Sequence, residues 1–447
     1  MASNKSRILV LMNLKRFLSS FRSVHRIAII GAGPGGFYAA QQICKAKNIP
    51  SVEVDIFEKF PVPFGLVRYG VAPDHPEVKN VTNTFTKIVE SLNVNFYGNM
   101  VFGKNLSLKD LKKCYSGVIL SYGSSIDKHF NIPGEKLNGV LPASDFVNWY
   151  NGTPGYRNVN MNFNADSCVI LGQGNVAIDV ARILLSPISA LEKTDIANYA
   201  LEKLSESKIK VVYLVGRRGP IQASFTVSEF REISKLSNCR LLLNKSDFAY
   251  IRENAQSIPT SKKRLVEFQI KKVSEDENVE RTGNITKGLH ILFKRSPLKF
   301  VNDVRDPTSV ASVLFSVNML PVIKSIGYKS QQLDPEVPFD EERGLVPNHL
   351  GRVLGKKGLY CSGWLKTGPV GVLVSTMNSA FETGKSVVED IKSASDALFA
   401  EKGLVTFDDW KILNEIEIKR GLERGKSREK LTEIAEMLQT LNKKSHD

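Results

Sequence analysis

Residues 26–36 read Arg-Ile-Ala-Ile-Ile-Gly-Ala-Gly-Pro-Gly-Gly and run on into Phe37-Tyr-Ala-Ala, and the fold is decided there. Residues 26–30 are a short β-branched run of strand type, whereas Phe37 to Lys47 has helical composition. Between them Gly31, Gly33 and Gly36 satisfy a Gly-x-Gly-x-x-Gly spacing. Glycines at these points allow a tight turn and let the backbone approach a pyrophosphate, which then rests on the free N–H groups and positive end of the helix. A second strand, Ser51 to Phe57, closes with Glu58, a carboxylate placed to accept from ribose hydroxyls. The segment is expected to be a βαβ dinucleotide-binding unit.

The same logic repeats downstream. A strand at Ser167 to Leu171 leads into Gly172-Gln-Gly-Asn-Val-Ala177, and a helical run from Ile178 to Leu185 stops near Pro187. Asn175 could add a side-chain contact to a phosphate held there. The acidic residue is missing here. The strand Lys210 to Val215 ends instead in Gly216-Arg217-Arg218, two guanidinium groups suited to a 2′-phosphate, so this site reads as NADP rather than NAD, a solvated arginine pair being the plainer alternative. Gly172 to Arg217 exceeds the usual interval of about 20 residues, which requires residues 188–208 to be looped out as extra helix. Two such loops in one chain imply an α/β protein with two Rossmann-like dinucleotide-binding domains. They also imply electron transfer between nucleotides, since hydride passes from nicotinamide to flavin when both rings share one crevice.

Length and composition agree. With 447 residues, 42% hydrophobic and 24% charged, the chain has material for two packed cores. An apolar run at Ser116 to Ser121 and the connection Asn131-Ile-Pro-Gly-Glu135 suggest a domain boundary near residue 125. Residues 250–300, with charge runs at Lys262-Lys-Arg264 and Lys271-Lys272, read as a polar, irregular surface excursion. Further strands are expected to end at Ile326 and Cys361, and a helix to start near Val374. Residues 407–442 read as amphipathic helices with Trp410, Leu413, Ile416 and Leu431 inward.

No apolar run approaches the roughly 20 residues of a spanning helix, so a soluble protein with at most peripheral membrane contact is expected. Residues 1–25 hold Lys5, Arg7, Lys15, Arg16, Arg22 and five serines, and the first acidic residue is Glu53. That composition reads as a mitochondrial transit peptide, a disordered basic tail being the alternative. The net charge of +15 points to an acidic partner. Nucleic acid is disfavoured, because no recognition motif accompanies the charge. Cys44, Cys114, Cys168, Cys239 and Cys361 are widely separated and form no Cys-x-x-Cys pair, which argues against a metal site, a disulfide framework and a dithiol redox centre. Electrons taken up by a flavin would then leave singly, to a protein.

Taken together, Gly31-Ala-Gly-Pro-Gly-Gly-Phe-Tyr38, Pro61-Val-Pro-Phe-Gly-Leu-Val-Arg-Tyr-Gly-Val-Ala-Pro-Asp-His-Pro76, Gly172 to Ala177, Val215-Gly-Arg-Arg-Gly-Pro220, Ser325-Ile-Gly-Tyr-Lys329 and Tyr360-Cys-Ser-Gly-Trp364 resemble the mitochondrial ferredoxin–NADP+ reductases, the adrenodoxin reductase family. The resemblance implies FAD held by Gly35, Glu58, Leu66, Phe102, Trp364, Gly371, Val372 and Leu373. It implies NADP(H) contacts from Gln173 to Val176, Arg217, Arg218, Glu229 and Gly371. His75, Asp179 and Glu229 would be the catalytic group near the flavin, with a proton-handling role for the first two. Hydride would pass from NADPH to FAD, and single electrons to an acidic [2Fe–2S] ferredoxin docked near Arg231, Lys262, Lys263 and Arg264, in the mitochondrial matrix or on the matrix face of the inner membrane. The expected layout is a flavin domain, 26–124 and 327–447, with the NADP domain, 125–326, inserted, acting as a monomer. The alternatives are an NADPH-flavin input module of the glutamate-synthase small-subunit type and a redox-inactive NADP(H)-binding regulator. This chain departs from the family's usual Ala at Gly35, Arg at Thr367 and Thr at Val370, and has one basic residue fewer near Thr260; Gly35 is expected to be neutral for the turn.

Overall fold

Ile27, Ile29 and Ile30, buried on both faces, make His25–Ile30 the central strand of a sheet, as parallel strands covered on both sides require. The computed structural model describes residues 25–46, 52–158, 163–249, 251, 258–278, 286–315, 318–319, 322–391, 405 and 407–444. Apart from His25, the segment read as a transit peptide lies outside them. Among the described residues, Leu359–Cys361, Gly117–Leu120, His25–Ile30, Val52–Phe57 and Val94–Tyr97 run parallel in that order, and the hairpin of Asn348–His349 with Arg352–Val353 extends one edge. Within this sheet Arg26 is paired with Asp55 at 2.5 Å, both fully buried. Tyr115 Oη and Asn95 Nδ2 donate to the same carboxylate at 2.7 and 2.8 Å, which satisfies the buried charge.

The second sheet is parallel throughout, in the order Val140–Pro142, Val322–Lys324, Ser167–Leu171, Val211–Val215, Lys287–Leu292, Cys239–Leu243. Its strands all come from residues between Leu120 and Tyr328, so one Rossmann-like unit is inserted into the other. The chain crosses twice, and the crossings pair as a short antiparallel ribbon, Ile126–Asp127 against Tyr328–Lys329. Residues 188–208 form the helices Ile188–Leu191 and Asn198–Ser205, which accounts for the long interval between Gly172 and Arg217.

Two expectations need correction. The segment 250–300 is not an irregular excursion: Thr260–Asn278 is a helix that buries Leu265, Val266 and Val273, and Lys287–Leu292 lies inside the sheet. The apolar positions there are few but fall on one helical face, a pattern that dense charge conceals. At the C-terminus the helices are Phe407–Glu423 and Ile434–Lys444. Trp410 and Leu413 are buried as expected, but Ile416 is only half-buried and Leu431 is buried from the connecting segment.

The helix Leu373–Ile391 lies along Pro34–Cys44, the first dinucleotide helix. At Gly384 a Cβ would stand 2.7 Å from Gln42 Cβ and 3.2 Å from the Ala39 carbonyl oxygen. Gly384→Leu is therefore expected to destabilise the protein by about 1–3 kcal/mol through overpacking, read as a lower midpoint in urea unfolding; an unchanged midpoint would show that the helix pair yields freely.

Candidate active site

Each dinucleotide loop ends in a helix whose N-cap is a glycine without a side-chain cap, Gly33 before Pro34–Cys44 and Gly174 before Asn175–Leu185. The first-turn N–H groups are thus left to an external acceptor. Gly31 (φ 109°) and Gly172 (φ 139°) lie in the region that favours glycine, and each is pressed against the neighbouring strand end. A Cβ on Gly31 would meet the Ser121 carbonyl and one on Gly172 the Ser325 carbonyl.

Around the first loop the expected flavin residues converge. Glu58 is buried and accepts from the Ala32 N–H at 3.0 Å and the Phe60 N–H at 3.2 Å. Burial raises its pKa, and those backbone donors and Lys59 oppose the rise. Gly65 abuts Gly33, which places Leu66 beside the loop. Phe64, the residue before, is held at φ 86° by a hydrogen bond from its N–H to the Ala32 carbonyl (2.8 Å), a strained aromatic of the kind concentrated at functional sites. Ser362 Oγ donates to the Gly35 carbonyl at 3.1 Å, and Trp364 follows directly, its ring stacked on Tyr328 of the crossing ribbon. Phe102 is buried against Tyr122. Leu66 (43%), Val370 (74%) and Val372 (54%) are exposed, and Gly371 (φ 90°) leads into the helix Leu373–Ile391. Such exposed apolar groups beside an uncapped helix suit a flat, partly apolar dinucleotide. Gly35 suits its place, because a Cβ there would stand 2.9 Å from Gly363 Cα and 2.8 Å from Ser121 Oγ.

Around the second loop, Gln173 Nε2 donates to the Leu292 carbonyl at 3.2 Å, and its own carbonyl accepts from Ser224 and Phe225. Asn175 Oδ1 accepts from the Thr226 N–H at 2.9 Å. The Asn175 side chain thereby holds, through its oxygen, the segment leading to Glu229. Val176 is half-buried on the helix that follows. Arg217 and Arg218 are exposed, and among the described residues neither forms an ion pair. Lys262 is half-buried and donates to the Ala223 carbonyl at 2.6 Å, whereas Lys263, Arg264 and Arg231 are exposed. The Arg231 guanidinium lies 5.6 Å over the Phe268 ring, on the helix that carries the basic run.

His75, Asp179 and Glu229 come together: one polar atom from each falls within 4.8 Å of the others. They come from a turn of the first unit, the second dinucleotide helix, and the helix Val227–Ile233. The residue that organises them is Arg182, one helical turn after Asp179 and 2% exposed. Its guanidinium meets Asp74 at 2.5 and 3.1 Å, Asp179 at 2.7 Å, Glu229 at 3.3 Å and Glu232 at 3.8 Å. His75 Nε2 lies 2.9 Å from Glu232. A fixed cation already fills the space between these carboxylates, which opposes a metal ion there. Asp74, Arg182 and Glu232 escaped the sequence reading. Their signal was the i, i+3 spacing of Asp179 with Arg182 and of Glu229 with Glu232.

Residues 29–95 match the model of the NAD(P)-binding Rossmann-like domain. The chain is 40% identical over 497 residues to the mitochondrial NADPH:adrenodoxin oxidoreductase of Salvelinus fontinalis, covering 98% of this chain and 99% of that one. To the protein of that name from Homo sapiens it is 42% identical over 454 residues, covering 93% and 92%. This chain belongs to the NADPH:adrenodoxin oxidoreductase family. Among solved structures, Mycobacterium tuberculosis FprA in complex with NADPH is similar, with a TM-score of 0.86 and 31% identity, covering 94% of this chain and 99% of that chain.

In this member of the family the Asp179 carboxyl is pushed up to about 6, by burial first, with Arg182 opposing and Glu229 reinforcing the rise. Folding therefore disfavours its ionised form. The stability tied to this group is fully present below its ordinary 3.8 and is lost as pH rises through about 6. Asp179→Asn is expected to remove that loss, so the variant should gain on the parent between those two pH values in urea unfolding; parallel stability curves would contradict it.

Proposed function

We propose that this protein is an NADPH:ferredoxin oxidoreductase. NADPH gives a hydride to bound FAD, and the flavin supplies the conversion of that electron pair into single electrons for a mitochondrial [2Fe–2S] ferredoxin. The observation that carries this reading is the contrast between two otherwise equivalent loops. Gly31 to Gly36 is answered by buried Glu58, which suits the ribose of FAD, and Gly172 to Ala177 by the exposed Arg217 and Arg218, which form no ion pair among the described residues and suit a 2′-phosphate. The 40–42% identity to mitochondrial NADPH:adrenodoxin oxidoreductases supports the reaction, the cofactors and the location together.

In this reading residues 26–124 and 327–447 bind FAD and residues 125–326 bind NADP(H). Gly31, Gly33, Gly35 and the helix behind them hold the flavin's pyrophosphate. Glu58 takes its ribose, Phe102 borders the adenine, and Leu66, Trp364, Gly371, Val372 and Leu373 border the isoalloxazine. Gln173, Gly174, Asn175 and Val176 hold the second pyrophosphate through backbone N–H groups. Glu229 receives the nicotinamide end, and His75 and Asp179 hold protons beside the flavin. Residues 1–25 direct the chain to the mitochondrial matrix, where it acts as a monomer with at most peripheral membrane contact. The ferredoxin docks on Arg231, Lys263 and Arg264, with Lys262 bracing the rim from below. A glutamate-synthase-type module is disfavoured because such modules normally bring cysteine-rich cluster motifs, whereas the five cysteines of this chain are widely separated. A redox-inactive regulator leaves the Gly31 cradle unexplained.

Two measurements test this. Arg217→Ala and Arg218→Ala are each expected to raise KM for NADPH about tenfold or more, as loss of a charge-assisted hydrogen bond does, while KM for NADH stays put; equal losses with both cofactors would count against the 2′-phosphate assignment. Lys263→Glu combined with Arg264→Glu should slow NADPH-driven ferredoxin reduction several-fold at low salt, with ferricyanide reduction unaffected. Unchanged ferredoxin kinetics would remove the basic rim from the docking face.

A further inference from the structure

Behind the strained turn at Phe64 lies a cavity of about 340 Å³. The short helix Leu66–Tyr69, the helix Val81–Ser91 and the C-terminal helix Phe407–Glu423 line it. Its surface is of two kinds. Phe64, Val67, Trp410 and Ile418 are apolar, whereas Arg68, Lys79, Arg428 and Lys430 are cationic.

These four cations share two carboxylates. Glu417 takes Arg68 at 2.5 Å and Arg428 at 3.0 Å, and Asp195 takes Lys79 at 2.6 Å and Lys430 at 3.2 Å. Glu90, which also lines the cavity, is occupied by Lys411 at 2.9 Å. With every group charged, these four cations exceed their two carboxylate partners by two charges, in a place where unbalanced charge is costly. Burial accordingly pushes both Lys79 and Lys430 down, against the pull of Asp195. A cavity lined by cations that outnumber their carboxylate partners lacks an acceptor that carries negative charge.

We propose that this cavity is a binding site for a phosphate monoester with a flat apolar body. The dianion matches the surplus of two charges, and guanidinium forks suit its oxygens. The volume lies at the low end of the range for small-molecule sites, with room for a ring against Phe64 and Trp410 beyond the phosphate. Occupancy bears on both units, because Asp195 belongs to the inserted one while Lys430 Nζ also donates to the Arg68 carbonyl at 3.0 Å, two residues after Leu66. The inference does not depend on the redox reading.

The test is calorimetric titration of phenyl phosphate and of inorganic phosphate into the flavin-loaded full chain, saturated with NADP+ so that Arg217 and Arg218 are occupied. Phenyl phosphate is expected to bind about tenfold or more tightly than inorganic phosphate. Trp410→Leu, which removes the flat ring from the apolar wall, should weaken it about tenfold, and Thr86→Phe, which fills the cavity without touching an ion pair, should abolish it. Arg428→Gln, on a side chain 25% exposed, gives the same weakening if either of those variants fails to fold. No binding to the parent, equal affinity for the two phosphates, or affinity unchanged in the folded variants would each overturn the proposal.

Discussion

One guanidinium sets the relation between the two halves of this protein. Arg182 rises from the second dinucleotide helix into a space walled by Asp74 from the first unit and by Asp179, Glu229 and Glu232 from the second. Burial opposes its charge, but its hydrogen bonds to Asp74 and the field of Asp179 more than offset that and hold its pKa above the ordinary value. Without it, several carboxylates would face one another with little water, a situation that costs about 3–5 kcal/mol when a buried pair is broken. The arrangement therefore fixes more than a side-chain cluster. Asp74 precedes His75, so holding Asp74 aligns the imidazole with Glu232 and ties the turn after the first loop to the helix that opens the second.

The glycine loops depend on that alignment. Each can cradle a phosphate only because its helix N-terminus is left uncapped and its turn is pressed against the next strand end. Between the two sheets runs the crossing ribbon, with Tyr328 stacked on Trp364 where the chain returns to the first sheet. Lys79, Asp195 and Lys430 add a second tie at the other end of the interface. The cavity between those ties is lined by residues that also support the turn at Phe64, so the C-terminal helices are continuous with the flavin side of the molecule.

Much of this was legible in the chain. Strand, glycine turn and helix recur in fixed order because hydrogen-bonding period and steric tolerance are local properties, and Glu58 and Arg217-Arg218 sit at strand ends where a short-range reading finds them. The helix Thr260–Asn278 was not legible, since Leu265, Val266 and Val273 are outnumbered by charges and only a neighbouring surface reveals which face they share. Nor was the contact of Asn175 with Thr226 or of Lys262 with Ala223, because a polar side chain's partner depends on what folding brings within about 3 Å.

The sequence by itself determined two Rossmann-like units, because strand, glycine turn and helix follow from spacing and residue type along a few dozen neighbouring positions, whereas their nesting was implied there only by the family resemblance. Only the tertiary structure decided that His75, Asp179 and Glu229 form one cluster with Arg182 at its centre, and that Arg68, Lys79, Arg428 and Lys430 crowd around two acids. These groups lie tens to hundreds of residues apart, and their electrostatics depends on distance and burial, which the order of residues does not contain.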